Sequence, residues 1–344
     1  MQTVLITGGA GFFGTILKKN LLQKGFFVVS IDLIKDDFKS DNFVSVQGDI
    51  CDTDLLREIC TSYKFDAIFH CAAKLAHVRK EIKSLWESNV VGTQCISDIC
   101  TEFDIKKLIF ISSNCLYSKS YDNLVSEEEP ICPVEIYGKS KLEGEKILLN
   151  NKNLTSIIFR CPTIMDEGRL GLLAILFSFI EENRKLWVVG NGKNKYQFIY
   201  AEDLATACYL ALKHSQTDIF NIGSDNVDDF NEIYQYVIDK SKSKSKIYHV
   251  PKFFAILGMK FFYWIGLSPL GPYQYKMIAS SFVFNTSKIK KELNFQPTLT
   301  NKEMLLKAYK FYADNKKEIV QRKNVSAHSQ VAKMGIIRLI KWLS

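Results

Sequence analysis

Short apolar runs alternate with longer stretches whose apolar residues recur at helical spacing through about Arg160, a rhythm that predicts repeated βαβ units around a parallel sheet. The runs at residues 3–7, 27–32, 43–47, 67–72, 108–112 and 156–160 read as strands. Their apolar character is continuous instead of alternating, so both faces of the sheet are expected to be covered. Between the first two strands, residues 14–24 read as a helix, with Leu17, Leu21 and Leu22 on one face. The fold class is therefore α/β, a Rossmann-type doubly wound parallel sheet with a smaller, mainly helical C-terminal substrate region.

After Arg160 the rhythm loosens. A helix-like stretch covers 170–182, a polar turn stands at Gly190-Asn191-Gly192, and a strand and helix over 197–213 with a further strand at 219–222 are expected to return to the first sheet. The predicted division is a cofactor domain over 1–165 joined by 197–222, a substrate region made of 166–196 and 223–312, and a tail over 313–344. Residues 253–267 are nearly all apolar or aromatic, but Lys260 interrupts a run shorter than the roughly 18 residues of a membrane span. They are expected to form a buried helix or a wall of the substrate site. Near the end, Ile336, Ile337, Leu339, Ile340 and Leu343 share one helical arc with Arg338 and Lys341 opposite. This basic amphipathic pattern suits a membrane surface, a docked partner or the protein's own core.

Composition narrows the class. At 344 residues with 47% hydrophobic and 24% charged, the chain has globular proportions, and 18 Gly with 7 Pro exclude a collagen-like or broadly disordered polymer. Of the net charge of +8, +5 lies in the tail, where seven bases after Ala313 face two acids, so a nucleic-acid partner is not expected. Nine cysteines without a C-x-x-C pair point to a reduced protein with no metal site. The chain opens on a strand instead of a leader, so a cytoplasmic location is expected, with the tail allowing contact with the inner face of the membrane.

The strongest chemical signal is Thr7-Gly8-Gly9-Ala10-Gly11-Phe12-Phe13-Gly14, which satisfies G-x-G-x-x-G between a strand and a helix. Missing side chains there let backbone N–H groups approach a pyrophosphate at a helix N-terminus. Asp32 ends the second strand, where a carboxylate accepts from ribose hydroxyls and repels a 2′-phosphate, favouring NAD over NADP. Asp49, after the third strand, either meets the adenine or caps a helix. Farther on, Tyr137 and Lys141 stand four apart on one predicted helix face, where a cation beside a phenol favours the phenolate. Ser113, ending the fifth strand, is placed to bond the same substrate oxygen.

Taken together, these residues resemble the extended short-chain dehydrogenase/reductase family, the NAD-dependent epimerase/dehydratase group, from the glycine turn to about Thr300. His70-Cys71-Ala72-Ala73, Asn89 in Ser88-Asn89-Val90-Val91-Gly92-Thr93, Arg160-Cys161-Pro162, the run from Phe198 to Leu204, Phe220-Asn221-Ile222-Gly223 and the helix near Lys288 are similar too. The resemblance implies Tyr137 as acid/base, Lys141 lowering its pKa and holding the nicotinamide ribose, and Ser113 orienting the substrate. It implies that Gly8, Gly11, Phe12, Phe13, Gly14, Asp32, Asp49, Ile50, Ala72 and Ala73 hold NAD, and that the protein pairs as a homodimer through a four-helix interface that includes the Tyr-Lys helix.

Departures shape the expected substrate. The Asp-Glu pair that drives water loss in the family's dehydratases is replaced by Asn114 and Cys115, which disfavours 4,6-dehydration. Thr163 stands where epimerases often carry Asn, and Tyr196-Gln197 where they often carry Arg-Asp, leaving Lys195 and Lys276 as cations for a diphosphate; with Asn89 these are the expected substrate residues. A Lys point charge does not reproduce a bidentate Arg. The leading expectation is NAD-dependent epimerisation of a nucleotide sugar for surface polysaccharide. The alternatives are a dehydrogenase or reductase of a sugar, lipid-linked sugar or steroid-like alcohol, and a catalytically silent NAD-binding regulator.

Overall fold

Valine, isoleucine, leucine and phenylalanine fill both faces of the central strands, so these strands are held inside the molecule with helices on each side. The computed structural model describes residues 1–75, 81–117, 120–265, 278–321 and 341. The strands are β1 (Thr3–Thr7), β2 (Phe27–Asp32), β3 (Phe43–Gln47), β4 (Ala67–His70), β5 (Lys107–Ser113), β6 (Thr155–Cys161), β7 (Thr163–Met165), β8 (Leu186–Val189), β9 (Phe198–Tyr200), β10 (Asp218–Asn221) and β11 (Ile247–Val250). Seven form one sheet in the order β3-β2-β1-β4-β5-β6-β10, every neighbouring pair parallel. Strand order reverses between β1 and β4, which opens a crevice at their C-terminal ends where ligands of such sheets bind.

The helices are α1 (Phe12–Gln23), α2 (Thr53–Ser62), α3 (Ile82–Trp86), α4 (Gly92–Glu102), α5 (Ile136–Asn150), α6 (Leu173–Glu181), α7 (Ala201–Ala211), α8 (Phe230–Ser241), α9 (Lys252–Trp264), α10 (Ser287–Leu293), α11 (Asn301–Asp314) and α12 (Lys316–Gln321), with a π-helical turn at Glu87–Val91 joining α3 to α4. Alternate strand residues divide the core. Val4 and Ile6 pack with Leu17 and Leu21 of α1 and Leu204 of α7, while Leu5 packs with Leu56 of α2, Ile96 of α4 and Leu148 of α5. A second lobe closes around Phe177, Ile233, Met304 and Leu305 from α6, α8 and α11. Capping boxes at Asp229/Glu232 and Thr300/Glu303 fix the starts of α8 and α11.

Four expectations are corrected. The fourth strand stops at His70 because the amide of Ala72 turns onto the Thr7 hydroxyl at 3.2 Å instead of continuing the ladder. Strand β9, expected in the main sheet, pairs with β7 from Thr163↔Phe198 onward; α7 packs on α1 and β10 joins the sheet edge. The boundary expected at 313 falls inside packed structure: α11 runs on to Asp314, and Ile319 of α12 is buried in the second lobe. Helix α9 has no buried residue, so the apolar stretch is neither a core helix nor an enclosed wall. The amphipathic stretch at 331–344 lies outside the described residues except Lys341, whose Nζ pairs with Glu182 at 2.6 Å.

Candidate active site

The opening glycines leave no room for side chains. Gly8 has φ +75, and a Cβ there would meet Ala72 at 2.8 Å; a Cβ on Gly14 would lie 2.1 Å from the Gly8 carbonyl oxygen. Gly11 precedes α1 with no side-chain cap, and no acid stands in the first turn, so the positive end of the helix is open to an anion. Ala73 is exposed beside this turn. The donor set and the cramped cradle fit the pyrophosphate of NAD. Asp32 fastens the turn: its Oδ2 accepts from Ala10 N–H and its Oδ1 from Ile34 N–H, both at 3.0 Å. Phe13 belongs to the core, and Phe12 lies under the guanidinium of Arg169, 5.6 Å from the ring centre. Ile50 is buried against Gly92. Asp49 does not cap α2, a role held by Asp52 through Leu55 N–H; its exposed carboxylate accepts from Cys51 N–H.

A buried hydrogen-bond chain braces the loop after β4. Thr93 donates to Asn89 O at 2.7 Å, so it accepts from Nε2–H of His70 at 2.9 Å. That assigns Nδ1 as acceptor for the Thr7 hydroxyl at 2.6 Å, and Thr7 in turn accepts from Ala72 N–H. Burial holds the imidazole neutral, its pKa lowered to about 3. The expectation that Asn89 meets substrate is corrected. Its amide donates to Lys74 O and Ser140 Oγ, and its oxygen accepts from Lys74 N–H, which commits it to binding this loop to α5.

Helix α5 sits close enough to β5 to bring its catalytic candidates together only because it carries glycines. A Cβ on Gly138 would lie 2.3 Å from the Cys115 carbonyl oxygen, and one on Gly144 3.0 Å from the Phe110 ring. Tyr137 hydrogen-bonds Ser113 at the end of β5. Burial, with Cys115 and Cys161 nearby, pushes the phenol well above its ordinary range, and the charge of Arg169 with the Ser113 bond offsets only part of that rise. The ammonium of Lys141, expected beside the phenol, instead donates to Ile111 O at 2.8 Å and lies 4.6 Å from the Phe110 ring centre. Its burial lowers the pKa to about 8.

One turn beyond Lys141, Glu145 accepts from Ser112 and forms a buried, doubly hydrogen-bonded salt bridge with Arg160, whose guanidinium also donates to Tyr117 Oη and Glu127 O. The same i, i+4 step that links Tyr137 to Lys141 locates Glu145 in the sequence. Arg169, the cation acting on the phenol, sits in a loop with no periodic signal and is legible only in three dimensions.

On the substrate side, Asn114 donates to Tyr196 Oη at 2.6 Å, and both are buried. Tyr196 packs with Phe198 and Phe282, while Gln197 accepts from Phe284 N–H and donates to Ser224 O. Where an Arg-Asp pair was the comparison, this pair fastens the second lobe, which corrects Tyr196 as an open substrate contact. Lys195 is exposed, with its backbone tied to Phe282; Thr163 starts β7, half-buried; Lys276 lies outside the described residues.

A model of the NAD dependent epimerase/dehydratase family matches residues 4–223. The chain is 33% identical to the protein y4nG of Sinorhizobium fredii over 99% of its own length and 86% of that protein's. It is 29% identical to a putative UDP-glucose 4-epimerase of Methanocaldococcus jannaschii over 68% of this chain and 81% of the relative. The structure of the Thermotoga maritima UDP-glucose 4-epimerase with UDP-glucose superposes with a TM-score of 0.76 at 19% identity, covering 91% of this chain and 99% of that one.

Proposed function

From a chain that belongs to the NAD-dependent epimerase/dehydratase family, we propose an enzyme that inverts one ring carbon of a nucleotide sugar. When bound, NAD supplies reversible hydride acceptance from a secondary alcohol carbon. Gly8, Gly11, Gly14 and Asp32 would hold it, with the open N-terminus of α1 facing the pyrophosphate. Ser113 bonds the reacting hydroxyl, and Tyr137 takes its proton and later gives one back. The charge of Arg169 stabilises the phenolate in a site where burial opposes it. The relatives named as UDP-glucose 4-epimerases supply the nucleotide-sugar class.

One observation carries the choice of epimerisation over water loss. Asn114 and Cys115 stand in place of an acid pair, and the Asn114 amide is committed to Tyr196, so no carboxylic acid follows Ser113. The reading includes a cytoplasmic homodimer joined through a four-helix interface that includes α5, serving surface-polysaccharide synthesis; gel filtration checks the dimer. Proton NMR of the purified enzyme with a panel of UDP- and dTDP-sugars is expected to show epimer interconversion without accumulation of NADH. Stoichiometric NADH release would establish net oxidation instead. That second reading, a dehydrogenase of a lipid-linked sugar or hydrophobic alcohol, draws on the packing roles of Tyr196 and Gln197, which leave no bidentate arginine at that position for a diphosphate.

A further inference from the structure

Helix α9 has the composition of a core helix and the exposure of a surface one. Phe253, Leu257, Phe261 and Trp264 recur at i, i+4, i+8 and i+11, one stripe along the helix, and are 72%, 56%, 54% and 81% exposed, with Phe254 beside them at 67%. None of the 13 residues is buried and none is acidic. A contiguous aromatic patch of this kind marks an interaction surface.

The surrounding charge identifies what covers it. Lys260 lies beside the stripe, and Lys252 opens the helix. Lys252 occupies the first helical position, where the helix dipole disfavours a cation unless an anion is near. It shares with Lys193 a cleft of about 280 Å³ lined also by Asn191, Asn194 and Ser281. Strand β11, which leads into the helix, follows exposed Lys242, Lys244 and Lys246 and carries exposed Tyr248, paired in register with exposed Trp187. Phenylalanine, tryptophan and tyrosine among lysines, on a helix too short to cross a bilayer, are the composition of a helix lying in the headgroup plane.

Other occupants fit this charge poorly. A second copy docked through the same face would bring two lysine-bearing surfaces of like charge together. The C-terminal segment is itself basic, and its Lys341 is tied to Glu182.

We propose that α9 docks this protein in the plane of an anionic lipid surface, the aromatic stripe entering the acyl boundary and the lysines meeting phosphate headgroups. This holds whichever substrate the active site turns over. The test is flotation of the full-length protein with vesicles of phosphatidylglycerol and phosphatidylcholine, compared with phosphatidylcholine alone. The wild type is expected to float with the anionic vesicles and to bind at least ~10-fold more weakly to neutral ones or when salt rises from about 0.1 M to about 1 M.

The fourfold variant Phe253→Ser/Leu257→Ser/Phe261→Ser/Trp264→Ser is expected to bind at least ~10-fold more weakly with the tail intact, while keeping the wild-type melting temperature. Trp264→Phe alone is expected to abolish most of the vesicle-induced blue shift in tryptophan fluorescence, a readout independent of how the fourfold variant folds. Vesicle binding unchanged in the fourfold variant would assign the contact to the tail and overturn the proposal. So would indifference of the wild type to anionic vesicles, including the case where it dimerises through α9 instead.

Discussion

Lys141 is charged in a place that penalises charge. With its pKa lowered from 10.5 to about 8, the ammonium costs the fold about 3 kcal/mol at neutral pH. Because the folded value lies below the unfolded one, this cost disappears as pH rises from about 8 to 10.5. Lys141→Met is expected to melt no lower than the wild type at neutral pH, as scanning calorimetry would record. His70 follows the same sign in a lower window: its neutral form is the native one, so stability present above pH 6.5 is lost as pH falls toward about 3, by up to about 5 kcal/mol. His70→Gln is expected to be less stable than the wild type above pH 6.5 but to show a much flatter acid slope in urea titrations. The cradle glycines, Asp32, Ser113 and Tyr137 were legible because each stands at a strand end or a helical step. The turn of Lys141 toward Ile111 and the role of Arg169 were not, since both depend on rotamers and loop geometry that carry no sequence period.

Among the elements, α5 is placed by what it lacks. A Cβ on Gly138 would press on the Cys115 carbonyl at 2.3 Å, and backbone cannot yield as a side-chain tip does. Gly138→Ala is expected to lower kcat by roughly 10²-fold by shifting Tyr137, with NAD affinity unchanged in calorimetric titration. Gly14→Ala should do the reverse, weakening NAD binding by at least ~10-fold, because its Cβ would enter the cradle at 2.1 Å from Gly8 O. The first three strands follow the apolar runs residue for residue: β1 and β2 are covered on both faces, while edge strand β3 buries only Phe43. The run at 253–267 misled for the same reason in reverse: apolar character signals removal from water, and in α9 the described protein itself provides no cover.

At the scale of the whole molecule, the switch between β1 and β4 brings the glycine turn, Asp32 and the loop after β4 to one crevice, and the second lobe supplies Arg169 beside Phe12 and the phenol. That convergence is the central claim: Tyr137 exchanges the proton while NAD bound at the opening turn exchanges the hydride. It is tested most directly by mixing the NAD-loaded enzyme with the sugar it turns over and following the near-ultraviolet absorbance of reduced NAD in a single turnover. The wild type is expected to show a transient reduction, and Tyr137→Phe, with unchanged NAD affinity, one slower by roughly 10²–10⁴-fold. Reduction at the wild-type rate in Tyr137→Phe would contradict the account.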